Sequence, residues 1–356
     1  MKVTVVGGGS SYTPELVDGV GRLRDLAPVS ELVLHDPDRE RLDTIAGISS
    51  RILTRQGWPG RLSVTDDLAR ALDGADFVLV QLRVGGQAAR QLDETIPLRC
   101  GCVGQETTGA GGFAKALRTV PVVLEVADEV RRRSSDDAWV IDFTNPVGIV
   151  TRALLDHGHR AIGLCNVAIG FERLLAPWLG VEPSEVRLGH AGLNHLTWIH
   201  SVDVGGDDML PMLLRERGDE LADHVGLPRA VVDSLGALPS YYLRYFYLHD
   251  VVVEEQRHRR TRAEEVADLE RELFALYRDP RIDEKPSLLT RRGGAFYSEA
   301  ALRLVGSLWA DRGDVQVDDV HNRGALPWLP DDAIVEVPCR IHRSGVAPVT
   351  LSLIHI

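Results

Sequence analysis

Lys2-Val3-Thr4-Val5-Val6-Gly7-Gly8-Gly9-Ser10-Ser11-Tyr12-Thr13-Pro14-Glu15 decides the architecture. The near-continuous β-branched run is the pattern of a strand buried on both faces. Glycines then turn the chain, and Thr13-Pro14 opens a helix with proline just inside it. Strand, glycine turn and helix in that order present backbone N–H groups to a pyrophosphate, which makes Gly7, Gly9 and Ser10 candidate dinucleotide contacts. Tyr12 stands near the place of the third glycine in the usual fingerprint. A generic tight turn is therefore the other reading of the glycines alone. The second strand, Glu31–His35, runs into Asp36. A carboxylate there accepts hydrogen bonds from ribose hydroxyls and repels a 2′-phosphate, favouring NAD over NADP. Capping the helix that follows is the second role open to it.

Further strands are expected at Leu62–Val64, Phe77–Gln81, Trp139–Phe143 and Ala161–Leu164, with helices at Arg39–Thr54, Asp67–Leu72 and Ala114–Arg133. This alternation predicts a parallel, right-handed, doubly wound sheet. Beyond it, strands at Val186–His190 and Leu196–Val202 and helices at Pro211–His224, Ser240–Leu248 and Thr261–Tyr277 no longer alternate regularly. The expected class is α/β: a Rossmann-type domain over residues 1–167, then an α+β metal and substrate domain over 168–350. Between the fourth and fifth strands, the segment from Arg83 to Gly112 holds seven glycines interleaved with Arg90, Asp93, Glu94 and Glu106. It reads as an active-site loop over the sheet edge, with a solvated flexible loop as the alternative.

Net charge is −12, against the basic face that nucleic acid requires. A phosphorylated small molecule is not excluded, since a few local arginines suffice. No apolar run approaches the roughly 20 residues of a membrane span. The first strand starts at Lys2, leaving no room for a signal segment, and Cys100, Cys102, Cys165 and Cys339 form no secretory framework. A cytoplasmic protein without nucleic-acid or membrane partners is expected, as a homodimer or homotetramer. Lysine occurs only at Lys2, Lys115 and Lys285.

Ala161-Ile162-Gly163-Leu164-Cys165-Asn166-Val167 ends a short apolar strand on a thiol and an amide, where ligands sit in open α/β sheets. Gly192-Leu193-Asn194-His195 offers an imidazole. One soft and one nitrogen ligand make an open, catalytic kind of divalent metal site; a satisfied core histidine is the competing reading of His195. Thr144-Asn145-Pro146 places another amide at a strand end, suited to a substrate hydroxyl or to capping. Tyr241-Tyr242-Leu243-Arg244-Tyr245-Phe246-Tyr247 carries more hydroxyl than a core needs, although aromatic clusters at helical spacing usually pack.

Taken together, the Gly7–Pro14 turn, Arg83-Val84-Gly85-Gly86, Gly104-Gln105-Glu106-Thr107, Thr144-Asn145-Pro146, Cys165-Asn166-Val167 and Gly192-Leu193-Asn194-His195 resemble glycoside hydrolase family 4. That family comprises NAD- and manganese-dependent glycosidases with a lactate/malate dehydrogenase-like fold, outside the two-carboxylate scheme. The resemblance runs from residue 1 to about residue 345. The pair Cys165-Asn166, where α-acting members typically carry Cys-Asp, resembles the 6-phospho-β-glucosidase branch.

The resemblance implies hydrolysis by transient oxidation. NAD takes a hydride from carbon 3, a base removes the acidified carbon 2 proton, the aglycone is eliminated from carbon 1, and water then adds. It implies Cys165 and His195 as metal ligands, Tyr242 as the base, Glu106 as an acid that strengthens it, and Asn166 at the leaving oxygen. Arg90, Asn145, Asn166 and Arg262 would contact substrate, with Arg292 lining the pocket and the arginines reading a phosphate. The substrate expected is a phosphorylated disaccharide or aryl glycoside. Other family 4 specificities, or a 2-hydroxy-acid dehydrogenase on the same fold, are the alternatives. The family continues with further helices, so the apolar tail Leu351–Ile356 reads as a truncated or non-native end.

Overall fold

A computed structural model of the chain describes residues 1–294 and 296–350. The tail 351–356 lies outside the described residues. Six strands follow the expected pattern: β1 (Lys2–Val6), β2 (Glu31–His35), β3 (Arg61–Thr65), β4 (Phe77–Val80), β5 (Trp139–Asp142) and β6 (Ala161–Gly163). They lie parallel in the order β3-β2-β1-β4-β5-β6. The order reverses beside β1, which puts a ligand crevice at the carboxyl ends of β1 and β4. Val3, Val5, Leu32, Leu34, Leu79 and Ile141 are buried between the two helical layers.

The helices between these strands are α1 (Thr13–Arg22), α2 (Arg39–Arg55), α3 (Leu68–Leu72), α4 (Gly86–Arg99), α5 (Gly109–Arg133) and α6 (Val147–Asp156). The presence of α4 corrects one expectation. The polar segment after β4 is not mainly a loop: only Gln81 to Gly85 and Cys100 to Thr108 lie outside helices. α4 buries Arg90, Asp93, Glu94 and Pro97 and leaves Leu92 and Ile96 exposed. Its inward stripe is polar, so the apolar periodicity that marks a surface helix is inverted.

After α7 (Val167–Leu179) the chain forms a second sheet from β7 (Arg187–Leu193), β8 (Leu196–Val204), β9 (Asp207–Asp208) and β10 (Leu238–Pro239). β7 and β8 are joined by the two-residue turn Asn194-His195. Strands β11 (Val315–His321), β12 (Ile334–His342) and β13 (Gly345–Pro348) then return to the first sheet and extend it antiparallel beyond β6. The nine-stranded sheet thus draws strands from both sides of residue 167. Among the described residues, no helix is long and apolar enough to cross a membrane.

Candidate active site

At the turn after β1, the N–H groups of Gly7 and Gly8 both donate to the His35 carbonyl, at 2.9 and 2.7 Å. Gly7 has φ +92°, and a Cβ there would lie 2.5 Å from the Gln81 carbonyl oxygen. Only glycine fits that close approach. Gly9 donates its N–H to Asp36 Oδ2 at 2.9 Å, while Asp36 Oδ1 accepts from the Asp38 N–H at 3.0 Å. Gly7, Gly9, Ser10 and Asp36 line one groove of about 480 Å³, together with Arg83 and Arg292. A backbone cradle at the start of α1, with a carboxylate at the end of β2, fits an NAD-type dinucleotide.

Ser10, Arg83 and Arg292 also line a second cavity, of about 330 Å³. Arg90, Glu106, Asn145, Asn166, Tyr242 and Arg262 all border it. The substrate and base residues expected from sequence therefore converge on one space that opens into the dinucleotide groove. Asn145 Oδ1 is buried without a hydrogen-bond partner. Arg262 stands at the rim, donating to Glu265 at 2.9 Å and to the Arg291 carbonyl at 2.8 Å.

Glu106 sits in a knot of cations. It pairs with Arg83, with Lys115 at 2.8 Å and with Arg90 at 3.2 Å. Burial opposes its charge, but Lys115, Arg83 and Arg90 outweigh it and hold the carboxyl far below the usual range. Burial also lowers Lys115, against the pull of Glu106, to about 8. The network spans α4, α5 and the segments that flank them.

His195 has φ +64°, a left-handed conformation that a histidine at a hairpin turn adopts more readily than most residues. Its ring stacks on Tyr242 at 3.6 Å between centroids, 12° from parallel. Burial lowers its pKa to about 4, so the imidazole is neutral at pH 7, and its Nδ1 is buried without a partner. Cys165 is buried at the end of the β6 segment. Burial, then the Glu336 and Asp319 charges, push its thiol well up, opposed by a hydrogen bond with Asn194. A neutral imidazole with an idle nitrogen and a thiol beside carboxylates is a donor set that fits a divalent cation, which would displace the thiol proton. Among the described residues no group of three or more His, Cys, Asp or Glu has metal-binding spacing. Two protein ligands, Cys165 and His195, would leave a bound cation with positions for substrate oxygens.

Four phenols surround this corner. Burial first, then Tyr241, pushes Tyr242 well above its ordinary value. Tyr297 is raised likewise, by burial and then Cys165. Tyr245 accepts a hydrogen bond from Gln105 at 2.9 Å and does not border the 330 Å³ cavity.

Several neighbours had no role assigned from sequence. Lys115 carried one available signal, its rarity among 40 Lys and Arg residues. Behind the Cys165 and His195 pair, Glu336 accepts from Asn194 at 2.9 Å and bonds His190 at 2.8 Å. Its signal was a charge inside the apolar run Ile334-Val335-Glu336-Val337. Against its own burial, Glu336 is held below the ordinary carboxylate value by His190, His195 and Asn194. Burial and the Glu336 charge push Asp319 well up.

The family 4 glycosyl hydrolase model matches residues 2–181, and the model of that family's C-terminal domain matches 190–355. A probable 6-phospho-beta-glucosidase of Bacillus subtilis is 38% identical over 366 residues, covering 99% of this chain and 83% of the relative. The 6-phospho-beta glucosidase of Thermotoga maritima, solved with manganese, NAD+ and glucose-6-phosphate, superposes with a TM-score of 0.92. It is 35% identical, over 99% of this chain and 84% of that one. Malate dehydrogenase of Plasmodium falciparum, 13% identical with a TM-score of 0.57 over 99% of this chain and 91% of its own, shares the fold alone. On the dinucleotide groove, the adjoining cavity and these matches over nearly the whole length, the chain belongs to the family 4 glycosyl hydrolases.

Proposed function

We propose that this glycosidase hydrolyses 6-phospho-β-glucosides, phosphorylated disaccharides or aryl glycosides, with NAD and a divalent cation such as Mn2+ bound. The charge of the cavity carries the reading. Arg83, Arg90, Lys115, Arg262 and Arg292 border it with Glu106 as the single carboxylate, in a chain of net charge −12. Glu106 in the lining, and Glu94, Glu265 and Glu270 behind Arg90, Arg262 and Arg292, offset part of that charge, and the cationic groups facing the cavity suit a phosphate dianion read by guanidinium forks. The β-glucosidase relatives and the amide at Asn166 support the β-configured substrate.

When bound, NAD supplies reversible hydride transfer at carbon 3 and the cation supplies Lewis-acid polarisation of the neighbouring oxygens. Cys165 and His195 would hold the cation; Gly7, Gly9, Ser10 and Asp36 would hold the dinucleotide. Tyr242, stacked on His195, is the residue positioned to take the carbon 2 proton. Its phenol is raised by burial, so it acts as a base only with positive charge beside it. Glu106 keeps Arg83, Arg90 and Lys115 in place around the pocket. Asn145 and Asn166 position a sugar hydroxyl and the leaving oxygen; an amide cannot protonate that oxygen as an acid would. In this reading the protein is cytoplasmic and a homodimer or homotetramer, without nucleic-acid or membrane partners.

Hydrolysis of an aryl 6-phospho-β-glucoside is expected to require both NAD and Mn2+, and to place deuterium at carbon 2 in D2O. Turnover without that exchange removes the elimination route, and equal rates on the unphosphorylated glycoside remove the phosphate assignment. Cys165→Ser should weaken Mn2+ binding by roughly 10-fold or more in calorimetry, with NAD affinity retained. Unchanged Mn2+ affinity would overturn the ligand assignment.

A further inference from the structure

Glu336 is a carboxylate placed out of reach of water. It is 1% exposed on β12, between Val335 and Val337, which are fully buried. Burying a carboxylate is costly, and an apolar residue in such a place is often as stable or more so. Its side-chain partners are His190, whose Nε2 lies at 2.8 Å, and Asn194, whose Nδ2 donates at 2.9 Å. Glu336 borders neither the catalytic pocket nor the dinucleotide groove. We infer that Glu336 is a positioning residue for the cation site: through the Asn194 amide it fixes the Cys165 thiol and the His195 imidazole relative to each other. The inference rests on the reading that Cys165 and His195 hold the cation.

Connectivity comes first. The Asn194 side chain donates to Glu336, reaches Asp319 Oδ2 at 3.4 Å, and hydrogen-bonds the Cys165 thiol. One amide thus ties β12 to the residue that follows the β6 strand. His195 is the other half of the two-residue turn between β7 and β8, and its backbone stands at φ +64°. Holding Asn194 therefore holds the turn from which the imidazole projects. Gly148, in the first turn of α6, closes the opposite side: an added Cβ would lie 3.2 Å from Asn194 Cβ. His190 binds the same carboxylate to β7, the strand that leads into the turn.

Charge points the same way. Glu336 acts electrostatically on both Cys165 and His195. A thiolate and a neutral imidazole bring one negative charge to a divalent cation. The buried carboxylate behind them supplies another without taking a coordination position, so those positions stay with the substrate. Partners standing behind metal ligands in this way typically account for about 10–100-fold in metal affinity.

The test is a double-mutant cycle on Mn2+ affinity, measured by calorimetry on the full chain with NAD present. Glu336→Gln keeps the shape and removes the charge, and Asn194→Ala removes the tie and leaves the charge. Each is expected to weaken Mn2+ binding at least 10-fold while NAD affinity stays within two-fold of wild type. Together they should lose less than the product of the single losses, because one acts through the other. Should Glu336→Gln not fold, Asn194→Ala alone carries the comparison of Mn2+ against NAD. Mn2+ affinity within two-fold of wild type, while Cys165→Ser loses it, overturns the positioning role. Equal losses of Mn2+ and NAD affinity, or single losses that simply multiply, overturn it as well. Unchanged Mn2+ affinity in Cys165→Ser would instead overturn the underlying ligand reading.

Discussion

Glu106 shows how much one residue organises here. Three cations surround its carboxylate, and Lys115 is buried with it. Removing one partner of a buried pair leaves an uncompensated charge, typically costing about 3–5 kcal/mol. Glu106→Gln should therefore destabilise the protein by that order at pH 7. Because the folded carboxyl titrates far below its unfolded value of about 4.3, its stabilisation is full above that value and fades as pH falls below it. Urea midpoints should differ most between wild type and variant at pH 7 and least at pH 3; a constant difference would contradict the ion-pair account. Residues of this kind were unevenly legible. Cys165, His195 and Tyr242 stand in short motifs, and the structure brings them to one corner. Glu336 gains its partners Asn194 and His190 across separations of 142 and 146 residues, which leave no local pattern.

At the level of elements, α4 and α5 supply Arg90 and Lys115 to the lining of the catalytic pocket, and their packing depends on backbone contact. A Cβ on Gly111 would lie 2.2 Å from the Asp93 carbonyl oxygen and 2.4 Å from that of Gln105. Backbone cannot yield as a side-chain end can, so Gly111→Ala should part the helices at a cost of about 1–3 kcal/mol. It should also move Glu106. Gly170, inside α7, has nothing within 4 Å of the same added atom. Gly170→Ala is expected to raise stability by about 0.5–1 kcal/mol through helix propensity. Thermal unfolding of the two variants should shift in opposite directions, and a shared sign would refute the packing argument. The same pair of helices marks where elements were legible and where they were not. β1 to β6 announced themselves as apolar runs between turn residues. α4 did not, because Arg90, Asp93 and Glu94 point inward and Leu92 and Ile96 outward, an arrangement set by the site and not by the core.

Over the whole molecule, the parallel half of the sheet was legible from alternating strands and helices, while its antiparallel extension was not. β11 joins β6 through the pairing of Asp319 with Gly163, two residues far apart in the chain. A Cβ on Gly163 would lie 2.8 Å from Asp319 Cβ and 2.2 Å from Thr151 Oγ1, so the joint is close-packed. Extending the sheet buries β11 on both faces, which takes Asp318 and Asp319 fully out of solvent. Neither oxygen of Asp318 has a hydrogen-bond partner, and burial, reinforced by Asp314 and opposed by Arg303, pushes its carboxyl up to about 8. The unfolded chain releases that proton near pH 4 and the folded chain near pH 8. This group's contribution is therefore full below about pH 4 and is lost as pH rises through 8, by up to about 1.4 kcal/mol per pH unit. The slope is opposite to that of Glu106, and the two windows do not overlap. Asp318→Asn keeps the shape and removes the titration. Urea midpoints at pH 5.5, 7 and 8.5 should show wild type losing stability across the series and the variant losing less, with its advantage growing toward pH 8.5. Parallel slopes for the two proteins would mean that Asp318 is ionised in the fold, and that the joint between the two halves tolerates a buried charge.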